Sequence, residues 1–275
     1  MSGSLKNWAA VKIFRNFVVQ LVRRRRLIWN FAIRDLRSRY VGSLMGFFWA
    51  VVHPIVLLVC YTFVFSIVFE IRPQTLATDN FAIFLFCGIL PWLFFQDTVL
   101  RCCNSVVENG NLIRKTVFPS EILPISLCLS NLVTHCLGLL ILLVVLLAAG
   151  LLGWTALLLP LIIFSLVILS LGLGWMVAAL QVFLRDTVQI LSVFLVFWFW
   201  FTPIFYAIEL VPESLRPLIR LNPLTYVTQG YRDLLLERQV PDAAALLTLF
   251  AIAAVAFILG GLIFRVAKRE FLDVL

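Results

Sequence analysis

Charge is scarce in this sequence. Asp, Glu, Lys and Arg make up 13% of its 275 residues, against roughly a quarter in a typical soluble domain. With 63% hydrophobic residues and a mean hydropathy of +1.05, that scarcity excludes a water-soluble fold. Histidine is nearly missing: only His53 and His135 occur, on different apolar runs and without an acidic neighbour nearby. That excludes a zinc site or a Ser-His-Asp arrangement, and no metal-binding residues are expected. There is no Gly-x-x-x-x-Gly-Lys-Ser/Thr loop, so the chain has no usual cradle for ATP phosphates. Gly172-Leu173-Gly174 lies inside an apolar run, where small residues serve close helix packing. The six cysteines (Cys60, Cys87, Cys102, Cys103, Cys128 and Cys136) form no Cys-x-x-Cys pair. Neither a disulfide framework nor a metal site follows from them; they are small apolar packing residues. A cleaved secretion signal is not expected either, because residues 1–40 are basic and interrupted by charges.

What the chain has in abundance is apolar runs of about 20 residues, the length a helix needs to cross roughly 30 Å of hydrocarbon. Six crossings are expected: 44–69, 81 to about 100, about 122–152, 154–183, 188 to about 208, and 243–264. The fold class is all-α: a polytopic membrane protein with six transmembrane helices, an N-terminal amphipathic interface helix, and external re-entrant helices between spans five and six. Residues 1–40 form the cytoplasmic interface region and 41–275 the six-helix domain.

Orientation follows from the basic residues, which gather on the cytoplasmic side of membrane helices. Ten fall within the first 40 residues; Arg101, Arg114, Lys115, Arg185, Arg265, Lys268 and Arg269 lie on the same side. Only Arg72, Arg216, Arg220, Arg232 and Arg238 are left for the other. Both termini are therefore expected in the cytoplasm. The net charge of +8 needs no nucleic-acid partner, since anionic membrane lipids account for it.

Before the first crossing, Phe14, Phe17, Val18 and Leu21 share one helical face while Lys12, Arg15, Asn16 and Arg23 fall elsewhere, the pattern of a helix in the interface plane. Two loops stand out. The cytoplasmic one, 102–121, can form a short amphipathic helix. The external one, 209–242, mixes Pro212, Pro217, Pro223 and Pro241 with apolar stretches too short to span, and such half-inserted backbone must pack in protein or line a watery cavity. Asp97 is within one turn of Arg101, which suggests a local ion pair. His53, before Pro54, is either a functional intramembrane group or the partner of a freed carbonyl. Aromatic residues crowd span five, from Phe194 through Phe197, Trp198, Phe199, Trp200 and Phe201 to Phe205, with Phe47, Phe48 and Trp49 in span one. Interfacial belts explain some of these rings. The rest either pack ordinarily or line a passage where flat faces meet sugar rings.

Arg37-Ser38-Arg39-Tyr40-Val41-Gly42-Ser43, followed by Gly46, Trp49 and Pro54 and then Tyr61, Val64 and Phe65, resembles the opening of polysaccharide-exporting ABC transporter permeases, the O-antigen and teichoic acid exporters above all. Val182-Phe183-Leu184-Arg185-Asp186 is similar to that family's short loop between spans four and five. Trp198 to Pro203, then Leu221-Asn222-Pro223 and Gly230-Tyr231-Arg232-Asp233, are similar to its end of span five and external re-entrant segment. The ordered set covers nearly the whole chain. Capsule exporters share the architecture but match the opening less well, and His53 departs from the pattern.

The resemblance implies a homodimer of this chain in the inner cell membrane, joined by two copies of a separate ATPase subunit. That partner would bind ATP and Mg, leaving this chain without a cofactor, and a lipid-linked polysaccharide would pass between the two permeases. It further implies roles by position. Arg34, Arg37 and Arg39 would hold the lipid pyrophosphate at the cytoplasmic entrance by charge-assisted hydrogen bonds, although a basic topology anchor is an equal reading. Tyr40, Trp49, Phe194, Trp198 and Phe201 would line the channel. Glu108, Asn111, Arg114 and Lys115 would lie on the element that couples to the ATPase, and Asn222, Pro223 and Tyr231 on an external gate.

Two other classes compete. A membrane glycosyltransferase would need clustered acids in a sizeable polar loop, and Glu209, Glu213, Asp233 and Glu237 lie on the wrong side for nucleotide-sugar donors. A proton-coupled lipid flippase would want repeated intramembrane carboxylates, which are absent. The expected protein is a transport subunit that carries out no covalent chemistry.

Overall fold

The computed structural model describes residues 24–40, 48–69, 81–115 and 118–275. The amphipathic stretch 14–21, the opening motif over 41–47 and the side chain of Tyr40 lie outside the described residues. All regular secondary structure among the described residues is helical, without a strand. In chain order they form α1 (Arg25–Tyr40), α2 (Trp49–Tyr61), α3 (Phe81–Glu108), α4 (Gly110–Lys115), α5 (Ile122–Ala148), α6 (Leu159–Phe183) and α7 (Thr187–Phe201). The short α8 (Arg216–Arg220) and α9 (Pro223–Arg232) follow, then α10 (Ala243–Ala267) and α11 (Phe271–Val274). A π-helical turn extends α2 over Thr62–Val68 and another closes α9 over Asp233–Glu237, while the 3₁₀ turn Trp154–Leu158 leads into α6.

Four of these helices are long and apolar enough to cross a bilayer: α3, α5, α6 with its leading turn, and α10. The first and fifth expected crossings appear as shorter apolar helices, over Val51–Phe65 and Thr187–Phe201. Helix α7 has 15 residues, about 22 Å at 1.5 Å per residue. It stops before the expected boundary because Thr202, extended at ψ 133, precedes Pro203, and the proline ring disfavours helical geometry in the residue before it. Helix α3 instead overruns its expected end, because Cys102, Cys103, Ser105 and Val106 in its last turns are all buried.

Helix α3 forms the centre, with Phe84, Phe86, Trp92 and Phe95 enclosed by α5, α6 and α9. On its far side α6 crosses α10 at bare backbone. A Cβ on Gly260 would lie 1.9 Å from the Gly172 carbonyl oxygen, and one on Gly172 would lie 2.5 Å from the Ala256 backbone. Side-chain-free contact of this kind is how helices associate where lipid offers no hydrophobic drive. Gly174 makes room for Cys102 in the same way, at 3.0 Å. Four of the six cysteines (Cys87, Cys102, Cys103 and Cys128) are buried packing residues, and Cys60 and Cys136 are exposed.

Candidate functional sites at the two ends of the helix body

Polar side chains gather in two belts. The first joins α1, α3 and α5. Asp35 on α1 accepts hydrogen bonds from Arg39 Nε at 3.1 Å, from Arg101 Nη1 and Nη2 at 3.0 and 2.5 Å, and from Ser130 Oγ at 2.5 Å. Arg39 also pairs with Asp97 at 3.5 Å and donates to Asn131 Oδ1. Asn131 accepts a second bond from Arg101 at 3.2 Å and donates to Thr98 Oγ1 at 3.0 Å. Two carboxylates thus meet two guanidiniums, so the cluster is formally neutral, with Asp35, Arg39 and Arg101 mostly shielded from water and Asp97 half exposed. Within it, Arg101 pairs with Asp35 on another helix rather than with Asp97 one turn away. The reason is that α1 brings a carboxylate into the bidentate geometry a guanidinium prefers.

Two cavities flank this cluster. One, about 320 Å³, is bordered by Arg34, Ser38, Asn104 and Glu108. The other, about 450 Å³, is bordered by Arg39, Trp49, His53, Asp97, Asn131 and His135. Arg34 and Arg37 are exposed, and Arg34 rests 4.3 Å over the Phe31 ring. The three arginines expected at an entrance therefore divide into two exposed cations and one, Arg39, held by carboxylates. Asp35, Ser130 and Asn131 carry this belt, and sequence reasoning did not single them out. Asp35 was within reach of it, since it precedes Arg39 by one turn; two polar residues in the apolar run of α5 were the other sign.

The second belt, at the opposite end, binds the short helices to the end of α7. Asn222 caps α9: its Oδ1 accepts from Leu224 N at 3.0 Å and from Trp198 Nε1 at 2.8 Å, while its Nδ2 donates to Thr202 Oγ1 at 2.9 Å. Arg232, at the other end of α9, is only 5% exposed. It donates to the Ile204 and Tyr206 carbonyls at 2.6 and 3.4 Å, and its guanidinium stacks 3.6 Å from the Phe84 ring centre. Gly88 makes the space, since a Cβ there would lie 3.0 Å from Arg232 Nη2. The segment after α7 is thus held from both ends of one helix, by Asn222 through the Thr202 hydroxyl and by Arg232 through the Ile204 and Tyr206 carbonyls. Tyr231, wholly buried, reaches His135 Nε2 on α5 at 2.7 Å. Burial pushes the Asp233 carboxyl up to about 7, with Glu237 adding to the shift and Arg232 opposing it.

The remaining expected positions fall as follows. Trp49 and Phe194 are about half exposed, at 47% and 51%. Trp198 is partly buried, its indole N–H taken by Asn222 and its ring edge-on to Phe95 at 5.1 Å. Phe201 stacks on Phe197 with centroids 6.1 Å apart. Glu108, Asn111, Arg114 and Lys115 are all exposed around α4, which the buried Ile113 anchors. Asn222 and Pro223 are buried. The structure brings Trp198 together with Asn222, and Tyr231 with His135. Of the four positions expected to couple to an ATPase, Glu108 borders the same cavity as Arg34.

A helical, membrane-embedded body whose polar groups sit in belts at its two ends is the build of a transport permease. The chain belongs to the ABC-2 type transporter family, whose model matches residues 26–236. It is 31% identical over 259 residues to the O-antigen export system permease protein RfbA of Myxococcus xanthus, covering 93% of this chain and 98% of that one. It is 28% identical over 245 residues to the protein of the same name from Klebsiella pneumoniae, covering 88% and 92%. Similarity extends to the polysialic acid transport protein KpsM of Escherichia coli, at 21% over 242 residues, covering 87% and 93%.

Proposed function

We propose that this chain is the channel-forming permease subunit of an ATP-driven exporter that moves a lipid-linked, O-antigen-like polysaccharide from the cytoplasmic side across the inner membrane. The observation that carries the reading is the 31% identity to an O-antigen export permease over nearly the full length of both chains. The weaker similarity to a polysialic acid transporter puts capsule polysaccharide second. In this reading α2 and α7 complete six crossings, both termini are cytoplasmic, and α8 and α9 are the external re-entrant gate. Two copies of the chain form the passage and two copies of a separate ATPase, with ATP and Mg, drive it.

The residues support distinct tasks. Arg34 and Arg37 offer exposed guanidiniums for the lipid pyrophosphate, and Arg39 borders the same entrance while holding α1 to α3. The apolar faces of α2 and α7 are the least covered of the body, with Val59, Phe63, Val193 and Phe197 all more than half exposed. Such faces suit a second copy of the chain and a passage lined in part by Tyr40, Trp49, Phe194, Trp198 and Phe201. Glu108, Asn111, Arg114 and Lys115 suit contact with the ATPase. Asn222, Pro223 and Tyr231 keep the gate helix in its place at rest.

The test is to purify the tagged chain in mild detergent, measure the mass of the complex, identify co-purifying chains and assay ATP hydrolysis. A two-plus-two assembly with a phosphate-loop ATPase is expected, together with glycolipid accumulating on the cytoplasmic side when the chain is depleted. A lone subunit, even after crosslinking in cells, refutes the reading.

A further inference from the structure

The segment after α10 turns back under the body instead of leaving it. Lys268 Nζ meets Glu121 Oε2 at 2.5 Å, and Glu121 stands at the start of α5 with its side chain 8% exposed. The Glu121 carbonyl also accepts the Trp175 indole N–H at 3.2 Å, so this residue joins α5, α6 and the end of α10. Three residues beyond Lys268, Phe271 is buried between Phe264, with ring centroids 5.4 Å apart, and Phe183, at 6.2 Å. Phe271 starts α11, whose last turn carries Leu275 to Gly110, the first residue of α4. A Cβ placed on Gly110 would lie 3.7 Å from Leu275 Cδ2 and 3.9 Å from Leu275 Cβ, ordinary contact distance.

Helix α4 has six residues and only Gly110 and Ile113 buried. A helix that short is marginal without tertiary support. On one side it is tied to α3, through Leu112 N and Ile113 N donating to the Asn109 carbonyl and Asn109 Nδ2 donating to Ser105 O at 2.9 Å. Leu275 supplies contact at its first residue.

We propose that residues 268–275 are a clamp that positions α4, with Lys268, Phe271 and Leu275 as its contact points, so that force received at α4 passes into α6 and α10 as well as α3. The proposal rests on the reading of α4 as the ATPase-coupling element. Phe271 fixes the clamp by burial, Lys268 fixes its register through the one carboxylate at the start of α5, and Leu275 delivers it to Gly110. Removing the Lys268 ammonium takes from the enclosed Glu121 carboxylate its ion-pair partner at 2.5 Å.

The test has three arms, all on the assembled complex of this chain with its ATPase. In the first, a Gly110→Cys/Leu275→Cys pair is oxidised mildly. The 3.9 Å separation falls within the Cβ to Cβ range of a disulfide, roughly 3.5–4.5 Å. Crosslinking is expected with ATP hydrolysis retained; no crosslink, or hydrolysis lost on crosslinking and restored on reduction, overturns the clamp. In the second, Lys268→Glu and Glu121→Lys are each expected to lower co-purified ATPase and its hydrolysis at least fivefold, and the double exchange to recover at least half of wild type. Recovery separates a specific pairing from general misfolding. Single variants at wild-type level, or an exchange no better than either single change, overturn it. In the third, Arg114→Glu and Lys115→Glu test α4 itself. If they leave docking and hydrolysis unchanged, the coupling reading fails; if they impair both while the Lys268 and Glu121 variants do not, the clamp alone fails.

Discussion

Replacing Asn222 by alanine tests the second polar belt most directly, because one small side chain serves three partners there. The substitution removes the cap on Leu224 N, the acceptor for Trp198 Nε1 and the donor to Thr202 Oγ1. Loss of a helix N-cap costs about 1 kcal/mol, and a buried donor left without an acceptor, as the indole N–H would be, costs about 1–3 kcal/mol more. Hydrogen bonds within membrane proteins have averaged nearer ~0.6 kcal/mol each in double-mutant cycles, which sets a lower bound close to 2 kcal/mol for three. The expected destabilisation is therefore about 2–4 kcal/mol. For a chain of this length that is a fall of roughly 3–7 °C in the unfolding midpoint. The assay is thermal unfolding of the purified complex in mild detergent, read by tryptophan fluorescence, with hydrogen exchange over 198–232 in parallel. Asn222→Asp is the control: its carboxylate still accepts from Leu224 N and Trp198 Nε1 at a helix N-terminus that favours negative charge but no longer donates to Thr202, so it should lose less than Asn222→Ala by about 1 kcal/mol. An Asn222→Ala midpoint within 1 °C of wild type, or an aspartate variant as damaged as the alanine one, would refute the assignment of Asn222 as the hub.

Asp35→Asn should destabilise by about 2–4 kcal/mol, because two guanidiniums then face each other with only Asp97 between them. In a thermal double-mutant cycle with Arg101→Met the two losses should fall short of adding by at least about 1 kcal/mol; simple additivity would mean that the pair is not coupled. Gly260→Ala should abolish monodisperse protein in detergent, since its Cβ would sit 1.9 Å from the Gly172 carbonyl oxygen; a well-behaved variant would contradict the bare-backbone crossing. Asp233 gives a pH prediction. Its carboxyl ionises near 3.8 when unfolded but at about 7 in the fold, raised by burial and Glu237. Between those values the folded chain holds the extra proton, so stability falls as pH rises from about 4 to 7 and levels off above. Asp233→Asn should flatten that slope in pH-dependent melting; an unchanged slope would assign it to other groups.

Four of the six expected crossings were legible, because a run of about 20 apolar residues has few alternatives to a spanning helix. Their ends were less so, for identifiable reasons. Hydropathy carries no mark of Cys102 to Val106 continuing α3, since what keeps those residues helical is burial against α5 and α6. At α7 the stop was written in Pro203, but the aromatic run around it spread the apolar signal beyond the break. The sites were legible in kind and not in partnership. Trp198 and Asn222 were each singled out, yet nothing in either stretch says that the indole meets the amide. Arg232 reads in the sequence as one of five cations on the sparsely charged side. Its burial depends on Gly88, whose missing side chain leaves the space, and on the Ile204 and Tyr206 carbonyls beyond the end of α7. Arg101 illustrates the limit of local reasoning: Asp97 was available one turn away, and α1 supplied a better-placed carboxylate, Asp35.

The two belts also constrain how the body can move. Helix α9 is held to the 202–206 segment at both of its ends, by the Thr202 hydroxyl at one and the Ile204 carbonyl at the other, and to α5 through Tyr231 and His135. A hinge between α7 and α9 would have to break the Asn222 and Arg232 contacts together, and each break would leave buried donors without the partners they have here. The cheaper displacement keeps α9 and the end of α7 as one unit and moves α7 along its own length, where only Leu191 and Leu195 are buried. At the other end α1 is tied to α3 and α5 by four charged groups, whereas α2 is joined to its neighbours by apolar contacts and carries an extended row of exposed residues. Least burial means least free energy to rearrange. On that ground α2 and α7 are the adaptable parts, and α3, α5, α6 and α10 are the frame against which they shift.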